Sequence, residues 1–231
     1  AISNQLSAMS EQGSVESTSN SITKSANTNP GNLSALAHII ILVGYGMAGF
    51  AALGLEVQWT KVLTLMIGTS VYAFSLMLSA FLTGIALGSF FMAKFVDRRK
   101  DLWRDFAIIE ILLGISILVL NPLLGILPGL FANIFQNYKE IFWILQTLEF
   151  VVIFLIMLIP TLLMGAAFPV VSKIYAHDVS KVGKRISQIY TANTIGSILG
   201  PLAVSFLFIP LIGLQNSILL TSIIYVIVGM A

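Results

Sequence analysis

The chain has 231 residues, of which 57% are hydrophobic and 10% charged, with a formal net charge of +2 and a mean hydropathy of +0.95. A water-facing globular surface needs about 25% charged residues, so the composition excludes an ordinary soluble domain and points to a lipid bilayer as solvent. The small net charge gives no sign of a nucleic-acid partner. With no cysteine, disulfides, iron–sulfur clusters and thiolate metal sites are excluded.

In chain order, residues 1–32 come first. They are rich in Ser, Asn and Thr, with only Glu11, Glu16 and Lys24 charged. So little apolar surface cannot offset the entropy of ordering, and the segment is expected to be a flexible polar tail. It lacks the basic start, apolar core and small-residue cleavage site of a signal peptide. The apolar run that follows is therefore expected to remain as a membrane helix.

Residues 33–231 read as an all-α, polytopic domain with six transmembrane helices. A helix needs about 20 apolar residues to cross the hydrocarbon core. The candidate spans are 34–55, 70–91, 105–120, 141–164, 186–210 and 214–231. Val57 to Gly68, with Gln58, Trp59 and Lys61, reads as an interfacial turn or an extension of the first helix. Asn121 to Tyr138 holds Pro122 and Pro128 and reads as a loop with a short helix on the membrane. Pro160 and Pro169 are expected to kink or break the fourth span. The sixth span reaches Ala231 without a polar anchor, and further sequence is expected beyond it.

Lys and Arg set the orientation. Lys94, Arg98, Arg99, Lys100 and Arg104 lie between spans two and three, and Lys173, Lys181, Lys184 and Arg185 between spans four and five. The alternate connections hold Lys61 and Lys139 only. Basic loops stay inside, so the expected setting is the inner (cell) membrane with both termini cytoplasmic.

Spans two and five share a ladder of small residues, Ala80, Gly84 and Gly88 in one and Ala192, Gly196 and Gly200 in the other. Such ladders let a second helix backbone approach closely. Each ladder occupies the second helix of a triplet, which suggests two three-helix repeats of inverted topology, as in half of a major-facilitator bundle. The alternative is two independent packing ladders.

Acids inside spans are costly and are weighed one by one. Glu149, with Gln146 three residues earlier on the same face, reads as a proton or cation site, or as a carboxyl hydrogen-bonded to a neighbouring helix. Glu56, near Lys61, reads as an interfacial ion pair or a binding residue. Asn193 completes the candidate intramembrane polar group. Glu110, a turn into the third span, reads as structural, His38 as interfacial, and His177 with Asp178 as solvated. Asp97, Arg98 and Arg99 read as a positive anchor, or as a cytoplasmic latch between helices. Gly44-Tyr45-Gly46 sits inside a membrane helix and is no dinucleotide fingerprint. No catalytic constellation, metal-ligand spacing or cofactor motif is present.

Four segments together carry a family resemblance. They are Gly49 to Leu63 (with Glu56, Trp59 and Lys61), Ser70 to Ser89 (with Gly84 and Gly88), Pro160 to Pro169, and Tyr190 to Gly200 (with Asn193 and Gly196). They resemble the membrane domain of fused spermidine-synthase-like proteins. The resemblance implies a major-facilitator-like membrane portion followed by a cytoplasmic aminopropyltransferase-like domain that uses decarboxylated S-adenosylmethionine and a diamine. None of that domain's residues occurs here. Three expectations follow: an anchor, scaffold or accessory subunit; a half-transporter for polyamines or another small solute; or the anchor of an aminopropyltransferase. The bilayer is the expected first partner, with other membrane subunits or a second copy next.

Overall fold

The computed structural model describes residues 35–67, 71–138, 140–175 and 182–231, and those residues are helical almost throughout, with no strand among them. The tail of residues 1–32, Lys139, His177, Asp178 and Lys181 lie outside the described residues. Helix α1 covers Ala35–Ile67 and α2 Val71–Phe95, followed by a 3-10 turn at Val96–Arg98. Helix α3 covers Leu102–Leu120, leading through a 3-10 turn at Asn121–Gly125 into the short α4, Leu127–Tyr138. Helix α5 spans Phe142–Tyr175, α6 Val182–Ala203 and α7 Ile209–Met230, with a π segment at Val204–Phe208 between the last two.

Five stretches are long and apolar enough to cross a membrane: Ala37–Leu65, Phe74–Arg98, Leu102–Leu123, Trp143–Ile174 and Gly183–Met230. The last has 48 residues, room for two crossings of about 20 residues each. It is divided at Gly213, whose φ of 80° and ψ of 166° no side-chain-bearing residue adopts readily. The outer wall is apolar, with Leu65, Val71, Trp143, Phe206 and Leu211 largely exposed. A wall of this kind marks an interaction surface in water but is ordinary against lipid. The chain is a helical membrane protein.

The structure takes one of two alternatives for the stretch after Glu56 and departs from the sequence reading in two further elements. Helix α1 continues to Ile67, so the stretch after Glu56 extends the helix. Buried Gln58, Trp59, Val62 and Leu63 hold it against the bundle. The segment after Asn121 is mostly helical, with Leu127 and Phe131 of α4 turned inward one turn apart. Helix α5 runs unbroken through Pro160 and Pro169. The Thr161 hydroxyl donates to the carbonyls of Met157 and Leu158, 2.7 and 3.2 Å away.

The helices pack where glycines remove side chains. In α2, a methyl added to Gly84 would meet Thr161, and one on Gly88 would fall on the Leu162 carbonyl of α5. In α6, a methyl on Gly196 would strike the Gly46 carbonyl of α1, and one on Gly200 the Phe50 carbonyl. Between α3 and α7, a methyl on Gly114 would lie 2.7 Å from both the Ser222 carbonyl oxygen and a Val226 methyl. Backbones this close gain dispersion contacts along the helix, the main packing energy available in lipid. A polar tie joins α1 to α7. Gln58, fully buried, donates through Nε2 to Ser217 Oγ at 2.7 Å and Thr221 Oγ1 at 2.9 Å.

Candidate functional site: a cavity between the long helices

Glycine contacts draw α1 to α6, α2 to α5 and α3 to α7, and a cavity of about 320 Å³ lies between these pairs. All six long helices contribute to its lining. Tyr45 and Gly49 come from α1, Phe81 and Ser89 from α2, and Glu110 from α3. Gly165 and Phe168 come from α5, Asn193 and Ser197 from α6, and Tyr225 from α7. The small residues that permit close packing also keep side chains out of this space. Asn193 Oδ1 occupies the place a side chain on Gly49 would take, and Ser197 Oγ donates to the Gly49 carbonyl at 3.4 Å.

Glu110 is the charged residue of this lining. It is 1% exposed, and its Oε2 has no hydrogen-bond partner among the described residues. The Tyr225 hydroxyl, also 1% exposed, is likewise unpartnered among them. Tyr45 lines the same space as Glu110 and Tyr225. An unmade hydrogen bond costs a buried polar group about 1–3 kcal/mol, and more when it is charged. Glu110 and Tyr225 thus both line the cavity, each with a buried oxygen that has no partner among the described residues.

Of the residues singled out from sequence, Asn193 lines this cavity. Glu149 is buried near the start of α5, where its Oε2 accepts a 3.2 Å hydrogen bond from Gln146 Nε2 on the same helix. Glu56 is half-buried on α1. Neither acid is among the residues lining the cavity. Ala80 and Ala192 extend the ladders, and a methyl on Gly46 would lie 3.2 Å from the Ala192 carbonyl oxygen. Asp97 reaches across to α5, where Lys173 Nζ lies 2.6 Å from its Oδ1, and Arg99 stands 3.7 Å from Asp105. These pairs are largely solvent-exposed, so they fix geometry more than stability.

Sequence reasoning passed over Glu110 because it stands near a basic loop. The signal lay in its stripe: Leu102, Phe106, Ile109, Glu110, Leu113, Gly114 and Ile117 form the buried face of α3. An acid on the glycine-bearing face of a membrane helix points into the bundle. Tyr45 and Tyr225 carried no comparable mark. Among the described residues no group of His, Asp or Glu could hold a metal ion.

The architecture is thus all-helical among the described residues, with helices long and apolar enough to cross a membrane and a largely apolar cavity that carries a few polar groups. No protein-family model, curated protein or solved structure matches the chain.

Proposed function

We propose that this chain is a membrane-embedded solute-binding bundle, the half-transporter among the roles expected from its sequence. The cavity shared by all six long helices carries this reading. An anchor or scaffold has no need of a space that every long helix lines. A cavity at the low end of the 300–1,000 Å³ range of small-molecule sites, with a few polar groups converging on it, is the usual form of a binding pocket.

In this reading the chain crosses the bilayer six times, as two inverted triplets formed by α1–α3 and α5–α7. Positions 80, 84 and 88 stand 112 residues before 192, 196 and 200, and Phe50 stands 112 before Leu162. The Gly88 approach to the Leu162 carbonyl and the Gly200 approach to the Phe50 carbonyl are therefore the same contact under one offset. Gly114 packs on Val226, its own counterpart at that offset, as a pair on a pseudo-two-fold axis would. The next rung departs from the offset, since Gly196 meets the Gly46 carbonyl and Gly84 the Thr161 side chain, so the repeat rests on the one carbonyl pair and on Gly114 with Val226. The basic loops support an orientation with Arg98 and Arg99 on the cytoplasmic side. The resemblance to the spermidine-synthase-like membrane domain fits this arrangement, and the site is the chain's own.

The test uses the absence of native cysteine. Ser197→Cys in the cavity lining and Leu155→Cys on the exposed face of α5 are treated in proteoliposomes with a small hydrophilic thiol reagent. Labelling of position 197 but not 155 is expected. An unreactive position 197, in a variant that still elutes and melts as the parent does, would overturn the solute-binding reading.

A further inference from the structure

The charge pattern of the cavity narrows what it binds. Glu110 is the only acid among the lining residues, which include no Lys, Arg or His. The other side chains that converge there are neutral: the phenols of Tyr45 and Tyr225, the amide of Asn193, the hydroxyls of Ser89 and Ser197, and the rings of Phe81 and Phe168. We propose that the cavity is a site for one singly charged organic ammonium ion, held between the Glu110 carboxylate and the faces of the surrounding aromatic rings. This proposal rests on the solute-binding reading and adds the chemistry of the solute.

Three observations converge on it. An isolated carboxylate in a bundle interior is costly unless a cation or a proton neutralises it. Among the described residues lining the cavity, none is basic and able to do so. Its Oε2 and the Tyr225 hydroxyl are buried and lack partners among the described residues, in the wall of a space large enough for a small molecule. The aromatic lining then selects among cations. Organic ammonium ions are attracted to ring faces and tolerate apolar neighbours such as Ile85, Leu113 and Met164. A sodium ion instead demands a full shell of oxygen ligands.

The same count disfavours a long polyamine. Spermidine carries several ammonium groups, each needing a carboxylate or water. Glu149 and Glu56 are not among the residues lining the cavity. One acid matches one positive charge.

The experiment is equilibrium dialysis of the full chain in detergent against labelled tetramethylammonium, which carries a fixed charge and no exchangeable proton. Saturable binding of one ion per chain is expected, weakened at least tenfold in Glu110→Gln and unchanged in Glu149→Gln and Glu56→Gln. In Ser197→Cys the ion should slow thiol labelling. Binding unaffected by Glu110→Gln, competition by sodium at equal concentration, or tighter binding of spermidine than of tetramethylammonium would each overturn the proposal. Should Ser197→Cys label freely while no tetramethylammonium binds, the ammonium site fails and the solute-binding reading stands. Should Ser197→Cys resist labelling, both fail. Glu110→Gln keeps the size of the side chain, and its melting temperature and elution volume show whether lost binding reflects lost folding.

Discussion

At the scale of single residues, glycine decides where two backbones touch. Gly88 faces the Leu162 carbonyl so closely that a methyl has no place, while nothing lies within 4 Å of a methyl built on Gly125. Because the obstacle at Gly88 is backbone, relief requires α2 and α5 to move apart, at a cost of about 1–3 kcal/mol or more. Gly88→Ala is thus expected to lower the melting temperature in detergent by several degrees, whereas Gly125→Ala leaves it nearly unchanged. Equal effects at the two positions would show that the close approach is not what glycine serves. Glu110 illustrates the converse at this scale. Its meaning comes from the five helices around it and not from its neighbours in sequence. In the sequence, Glu149 and Glu56 looked no less functional than Glu110. Only the packing separates an acid that accepts a hydrogen bond from its own helix from one that faces a cavity.

At the scale of elements, the apolar runs made the long helices legible, because about 20 apolar residues in a row have few other uses. Helix ends were less legible. Helix α1 runs past Glu56 to Ile67 because Gln58 finds hydroxyl partners on α7, and no local signal announces partners 159 and 163 residues away. The junction of α6 and α7 was visible as Pro210 and Gly213, residues that interrupt a helix by different means. Gly213 carries φ 80° and ψ 166°, open to glycine and strained for other residues. Holding another residue there costs about 1–3 kcal/mol. Gly213→Ala should therefore destabilise the protein by that amount in a denaturant or thermal melt, although nothing lies within 4 Å of the added methyl. A neutral result would mean that the turn relaxes to another conformation.

At the scale of the whole molecule, the cavity exists because paired helices enclose it, and pairing is what a one-dimensional reading sees least. The two ladders were legible, but their partners were not. Gly84 and Gly88 could have met any helix, and the structure gives them Thr161 and Leu162. Membrane crossing is the claim on which the cavity and the ammonium site both depend. A crossing by α3 puts Lys100, in the basic turn before it, and Gln136, on α4 after it, on opposite sides of the membrane, and both are exposed. The most direct test places single cysteines at these positions and treats sealed membrane vesicles of one orientation with an impermeant maleimide. One cysteine should label at once and the other only after the vesicles are opened, with Lys100→Cys on the cytoplasmic side. If both label from the same side of the closed vesicle, the helices between them do not cross the membrane and the account is wrong.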